Sequence, residues 1–415
     1  MERRVPIIQI APKSEWALAR FFDALRDPDI NSKFFLEAIC GREKNSAELI
    51  AALYNRRKEI EKAVRLKEWR AEQRQKESDN AKDLISLLEN NKLKYFQVRK
   101  DTTLPQEIYD HQLGKALVIH SLNITHGNYI RNGLLNRAHI LCEKPLTVVA
   151  DIDGYPYDKA MTDLEKTVSS LGEGLVIMDA EHYSYKKPSL IFYEKLDEYL
   201  TDKKGNLRKI KKVEGEIKEL DKPDWKRTRE ILSFSRNQTG LLGDTMCHLL
   251  AFISNLGGRA VPEEREYDCY PGFDADTYDS VGYKIVNEDT IRRHFAPNAT
   301  ANFSVSKFID KMKGAKKDAA ESKFVRFTLD DNSEIVLDFK DGTITRDGER
   351  CTHFRYSIAK NEYVNVLNEF YEAIMDNRKP LTDYRHSMYT LQSNFETYAL
   401  PEEKNRRVSV YRTRK

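Results

Sequence analysis

Residues 139–147 read His-Ile-Leu-Cys-Glu-Lys-Pro-Leu-Thr. An apolar run that stops at a charged pair and a proline fits a short buried strand giving way abruptly to a loop. In open α/β sheets, ligands lie outside the carboxyl ends of the strands. A lysine at this step, Lys144, is therefore placed to reach a substrate hydroxyl or a cofactor carbonyl, and Pro145 restricts the backbone beside it. A surface lysine on an ordinary loop would carry the same local sequence.

Upstream, the same strand-to-helix alternation recurs. VPIIQIA at 5–11 is a continuous apolar run suited to a strand buried on both faces. A helix from about Glu15 places Leu18, Phe21, Phe22 and Leu25 at i, i+3, i+4 and i+7. FFLEAIC at 34–40, Leu93–Val98 and ALVIH at 116–120 read as further strands, with helices near Ser46 and over 128–136. Residues 158–170 and 175–179 add one more helix and strand. This order predicts an α/β fold whose N-terminal domain, residues 1–150, is a Rossmann-type doubly wound parallel sheet.

Past residue 150 the pattern changes. Gly243–Leu256 reads as a helix stopped by Gly257-Gly258. Strand-like runs at 300–308, 324–329, 334–339 and 342–346 are punctuated by Asp331-Asn332 and Asp341-Gly342 turns. Residues 151–415 are thus expected to form a C-terminal α+β domain with an open, mainly antiparallel sheet, used for substrate binding and oligomerisation. Its closing helices, 362–375 and 386–398, are expected to pack back on the first domain. Residues 56–80 are almost wholly charged or polar and read as a helical insertion supported by Glu-Lys and Glu-Arg pairs. It is either a solvated face or a partner-binding arm. Residues 201–230 read as charged and irregular.

Bulk composition narrows the function classes. The 415 residues are 40% hydrophobic and 33% charged, and 69 Lys+Arg against 66 Asp+Glu leave a net charge of +3. Such balance speaks against a dedicated nucleic-acid binder. Five cysteines without a CxxC pair fit a reducing compartment, and no apolar run reaches a membrane span of about 18–20 residues. A cytoplasmic protein is expected, with no nucleic-acid or membrane partner. The open sheet predicts a homo-oligomer.

Three further stretches carry candidate chemistry. In LGDTMCH at 242–248, Asp244 and His248 stand at i and i+4, where a carboxylate can orient an imidazole for acid-base work. A buried histidine satisfied by a local carboxylate has the same spacing. A metal site is not expected, because spacing shows only two ligands. At 121–126, Ser121, Asn123 and His126 follow the fourth strand, where polar groups can meet a cofactor or simply cap the helix. In EHYSYKK at 181–187, Tyr183 and Tyr185 are candidates for substrate contact, and a structural turn reads equally well.

Taken in order, LCEKPLT at 141–147, LLGDTMCHLLAFISNLGG at 241–258 and NEFYEAIMDNRKPLTDYRHSMYTLQ at 368–392 resemble the Gfo/Idh/MocA family of glucose-fructose oxidoreductase and inositol dehydrogenase-like proteins. The resemblance covers most of the chain. It implies a Rossmann domain followed by a sheet-based substrate domain. It implies hydride transfer between NAD or NADP and a carbon-oxygen centre of a sugar, cyclitol or related small molecule. By the same resemblance Lys144 polarises the reacting oxygen or shuttles its proton. His248 is the general acid-base, oriented by Asp244, and Glu143, Asn123 and His126 line the nicotinamide end.

The first strand-helix turn departs from the family. Where a G-x-G-x-x-G run would stand, the chain reads Gln9-Ile10-Ala11-Pro12-Lys13-Ser14. Ala11, Lys13 and Ser14 then become the candidate phosphate-side residues, helped by the helix N-terminus. Arg42, just past the second strand, suits a 2′-phosphate and tilts the expectation to NADP. The competing reading is a non-catalytic sensor, regulator or scaffold that has lost dinucleotide binding.

Overall fold

The computed structural model describes residues 4–14, 17–65, 71–98, 104–105, 107–108, 115–121, 123–147, 156–219, 240–269, 276–288, 294–307, 321–353 and 362–408. The chain divides into two compact units. The first comprises Met1–Thr147, Met161–Ala180 and Lys360–Asp383, and the second Val148–Ala160, Glu181–Ala359 and Tyr384–Lys415.

The first unit holds a six-stranded parallel sheet in the order β3-β2-β1-β4-β5-β6. The strands are β1 Val5–Ile10, β2 Phe34–Gly41, β3 Lys94–Gln97, β4 Ala116–Ile119, β5 His139–Cys142 and β6 Ile177–Asp179. The apolar runs read from sequence are these strands, and β4 is buried along its whole length, as a strand covered on both faces must be. Ile10 pairs with Cys40 and Ile119, and Ile119 pairs with Cys142. Ala11, Gly41, His120 and Glu143 therefore follow their strands along one carboxyl edge. The strand order reverses between β1 and β4, which is the switch point where such sheets bind ligands.

The helices of this unit are α1 Phe22–Leu25, α2 Pro28–Lys33, α3 Ser46–Arg65, α4 Ala71–Glu89 and α5 Asn123–Leu135. A π-helical turn, Ala17–Phe21, precedes α1. The charged insertion is ordered where it is described. Glu77 on α4 is buried and holds Arg56 of α3 at 2.6 Å and Arg74 at 2.9 Å. Asn80 donates to the Leu18 carbonyl at 2.6 Å, tying α4 to the first turn of the chain.

Neither unit is continuous in sequence. The chain passes into the second unit at 148, then returns to the first for β6 and for the helix Tyr363–Met375. The amphipathic pattern of that helix explains the return. Its buried residues include Val366, Leu367 and Phe370, and Phe370 stacks on Phe34 at 6.2 Å. The later helix, Tyr384–Tyr398, belongs to the second unit. There Thr390 meets Ser254 at 3.1 Å and Glu396 pairs with Arg259 at 3.0 Å. In chain order we call Tyr157–Leu171 α6, Lys187–Glu194 α7, Leu196–Leu200 α8, Cys247–Asn255 α9, Tyr363–Met375 α10 and Tyr384–Tyr398 α11.

The second unit is built on a nine-stranded sheet in the order β14-β13-β12-β11-β7-β10-β9-β8-β15. Its members are β7 Ile210–Glu219, β8 Gly258–Cys269, β9 Asp276–Asn287, β10 Phe295–Lys307, β11 Ser322–Leu329, β12 Glu334–Asp338, β13 Thr343–Arg346, β14 Glu349–His353 and β15 Asn405–Arg407. β10 runs parallel to β7 and β15 to β8, and the remaining pairs are antiparallel. The stretch read as irregular thus contains a central strand. In β7, Ile210, Val213, Gly215 and Ile217 are buried while lysines and glutamates take the other positions.

Helix α9 packs on this sheet at Gly215. A Cβ there would lie 2.8 Å from the Leu249 side chain and 3.1 Å from Phe303. The glycine lets the helix backbone come close, and Leu249 is the residue after His248. Gly257 ends the helix at φ +82, as its position in the sequence predicts. Among the described residues, no helix is long and apolar enough to cross a membrane.

Candidate active site

In the first unit, the turn after β1 does without glycine. Ala11 itself takes the left-handed conformation, φ +60, at a cost of about 1–2 kcal/mol for an L-residue. Its N–H donates to Cys40 at 3.0 Å and its carbonyl accepts from Ser14 at 3.1 Å. The Ser14 hydroxyl accepts the Ala17 N–H at 3.0 Å, as a helix cap does. Lys13 is paired with Glu43. The sequence reading stressed Arg42, which is exposed. Glu43 follows it, with its side chain only 12% exposed, and Tyr95 donates to the Glu43 carbonyl at 2.7 Å. Burial pushes the Tyr129 phenol up to about 12, with the Arg42 charge pulling against that rise.

Beside β4 and β5 lies a buried hydrogen-bonded chain. Gln9 Nε2 donates to His120 Nδ1 at 3.2 Å, His120 Nε2 meets the Tyr363 hydroxyl at 3.0 Å, and Tyr363 donates to Glu143 at 2.6 Å. Since Tyr363 gives its only proton to the carboxylate, it must accept from His120, and the neutral Nε2–H tautomer satisfies every link. Burial, aided by the nearby His126, pushes His120 down to about 3. The chain anchors Glu143 directly before Lys144, which is half-buried and joined to Pro145 by a cis bond.

His126 is buried between two carbonyl oxygens, Pro145 at 2.7 Å and Ser121 at 2.9 Å. These bonds raise its pKa, but burial outweighs them and the net direction is down. The neutral ring has one N–H and donates to one of the two carbonyls, while its position places it between the loop after β5 and the loop after β4. Ser121 accepts from Thr125 at 2.8 Å. Asn123 opens α5, and its side chain lies outside the described residues.

In the second unit, His248 is buried at the start of α9, just after a π-helical turn over Leu242–Met246. That turn widens the helix at Asp244, so the simple i, i+4 alignment expected from sequence does not describe this end. His248 Nδ1 is hydrogen-bonded to Glu181. Asp244 is half-buried, with the Thr245 hydroxyl 3.4 Å from its carboxylate. The carboxylate at His248 Nδ1 thus comes from a residue to which the sequence reading gave no role.

Glu181 is itself tightly held. It accepts from the Tyr183 N–H at 3.0 Å, the Ser184 N–H at 2.8 Å and the Ser184 hydroxyl at 2.6 Å. Asn255, two turns along α9 from His248, donates to the Ser184 hydroxyl at 2.9 Å. The helix therefore grips the 181–184 turn at both ends. Tyr183 stacks on His248 at 4.6 Å, and the Lys186 ammonium lies 3.7 Å from the centre of the Tyr183 ring. Tyr185 is fully buried. The local signal for Glu181 was a carboxylate preceding a turn and the helix start at Pro188. Tyr363 gave none.

Parallel strand order with a switch point and polar groups on one carboxyl edge define a Rossmann-type doubly wound sheet. Residues 32–155 match the family described as oxidoreductase family, NAD-binding Rossmann fold, the Gfo/Idh/MocA group that the sequence motifs resemble. The match covers β2 to β5 of the first unit, and the family's description makes the cofactor class a nicotinamide dinucleotide. No curated protein matches the sequence.

Solved structures share the fold. UDP-N-acetylglucosamine 3-dehydrogenase GnnA from Acidithiobacillus ferrooxidans aligns at TM-score 0.59 and 13% identity, over 95% of this chain and 96% of that one. KijD10, a 3-ketoreductase from Actinomadura kijaniata solved with TDP-benzene and NADP, aligns at 0.59 and 13%, over 98% and 99%. Levoglucosan dehydrogenase in complex with NADH and levoglucosan aligns at 0.64 and 12%, over 95% and 96%.

The residues present fit a dinucleotide by position. The left-handed Ala11 makes the tight turn that glycine makes elsewhere, and the Ser14-capped helix start stands at the phosphate side. They depart from the family in having Pro12, which offers no N–H, and in Lys13 being paired with Glu43.

Proposed function

We propose that the chain transfers hydride between NAD(P) and a carbon-oxygen centre of a sugar-like small molecule, with Lys144 and His248 handling the proton. One observation carries this reading, namely the Glu181 carboxylate at His248 Nδ1. An ionised carboxylate accepts only, so Nδ1 must carry the hydrogen and Nε2 presents its lone pair. In the oxidising direction Nε2 takes the proton of the reacting hydroxyl, and in the reducing direction it returns it. Lys144, by resemblance to the family, has the role of polarising a reacting oxygen. Asp244 adds negative charge that favours the imidazolium formed in the step. Tyr183 holds the ring plane, and substrate contact falls to His248, Lys144 and the edge of Tyr183.

Ala11, Lys13, Ser14, Arg42, Ser121, Asn123, His126 and Glu143 hold the dinucleotide, whose nicotinamide supplies the hydride chemistry. Exposed Arg42 supports NADP, since Glu43, the acid nearest the end of β2, is already engaged by Lys13. The sugar-linked neighbours support a sugar or nucleotide-sugar substrate. A homo-oligomer and a cytoplasmic location belong to the same proposal. The second rests on five cysteines with no CxxC pair in the sequence. A regulator or scaffold is the second reading, favoured by the glycine-free turn and by a family match that begins only at residue 32.

The test is turnover of a panel of sugars and nucleotide sugars followed by nicotinamide absorbance. His248→Ala and Lys144→Ala should each lower kcat by about 100- to 10,000-fold. Glu181→Gln should lower kcat and displace the pH limb of His248 while leaving KM near its original value. Unchanged turnover in His248→Ala and Lys144→Ala would refute the mechanism.

A further inference from the structure

We propose that Glu181, His182 and His248 form a binding site for a single divalent transition-metal ion of the zinc class. Each offers one donor atom, and these atoms lie within 4.8 Å of one another. Two imidazoles with one carboxylate are a donor set suited to zinc and its neighbours, and three protein ligands leave a coordination position open. Spacing alone showed no such set, because two of the ligands, Glu181 and His182, are adjacent in a turn far from the third.

The surroundings are those of a ligand cluster. The rings of His182 and His248 approach to 4.4 Å at 72°, and Tyr183 stacks on His248. The Tyr183 and Ser184 N–H groups and the Ser184 hydroxyl orient the Glu181 carboxylate, the kind of outer hydrogen bonding that metal-bound carboxylates receive. In the metal-free state a proton occupies the contact between His248 Nδ1 and Glu181. A metal ion at Nδ1 takes the place of that hydrogen, which moves to Nε2, so the ring stays neutral and binding trades one tautomer for the other.

The inference goes beyond hydride transfer. A His248 ring holding a metal cannot also act as a base, so metal-loaded and base-competent forms are separate states. Zinc binding can be read without any substrate.

The full-length chain, first freed of metal by a chelator, is titrated with zinc against a chromophoric chelator and separately with cobalt. The expected result is one equivalent bound per chain. Affinity should fall by at least about 10-fold in both His182→Ala and Glu181→Gln. His182 is only half-buried, so its variants should keep the fold, and His182→Gln serves as the second check. Cobalt should give visible bands without a thiolate charge-transfer band. Undiminished affinity in the His182 variants, a thiolate band pointing to the cysteines, or no binding by the wild-type chain would each overturn the proposal.

Discussion

His120 is a group whose charge is set by where the chain puts it. Its folded pKa lies near 3 against an ordinary value of 6.5, mainly through burial. The unfolded chain therefore binds this proton more readily between about pH 6.5 and pH 3, and stability falls as pH is lowered through that window. The full effect is at most about 5 kcal/mol. His139, pushed down to about 4 by burial, acts with the same sign. Urea unfolding of the wild type should lose stability steadily below pH 6.5, and His120→Gln should lose it less steeply. Equal slopes would mean that His120 is not neutral in the fold. At this scale Lys144 and His248 were legible, because a strand end and a helix each mark their place locally. Tyr363 and Glu181 were not. Their partners stand 220 and 67 residues away in sequence, and no local pattern encodes such a meeting.

Among elements, the charged insertion is the clearest case of chemistry hidden by composition. Its run of lysine, arginine and glutamate reads as solvated surface, yet Glu77 is completely buried between Arg56 and Arg74. Removing one side of such a cluster strands the other charges away from water. Glu77→Ala should cost about 3–5 kcal/mol and loosen α3 from α4, read as a lower Tm and faster amide exchange over both helices. A change within about 0.5 kcal/mol would place the insertion outside the cooperative fold. β1, β4 and β5 were legible because burial on both faces leaves a continuous apolar run. β7, β8 and β9 were harder, since one face carries charges and the period-2 signal is diluted by Lys, Glu and Tyr. The two turns read at Asp331-Asn332 and Asp341-Gly342 stand, with Asn332 and Gly342 both at positive φ.

At the scale of the whole chain, each unit holds its own group of candidate residues. The first supplies a Rossmann sheet with a hydrogen-bonded chain that anchors Glu143 next to Lys144. The second supplies an imidazole whose tautomer is set by a buried carboxylate. The sequence carried the class of both units through their strand order and motifs. It did not carry the path of the chain, which leaves the first unit and returns to it twice, because the return depends on which apolar face each late helix finds. The central claim is that this chain is a working NAD(P)-dependent oxidoreductase despite its glycine-free turn. The most direct test is isothermal titration of the full-length protein, stripped of any bound nucleotide, with NADPH and NADH. The account predicts saturable binding of one dinucleotide per chain, NADPH the tighter, with that preference reduced in Arg42→Ala. No binding of either by the folded protein would contradict it.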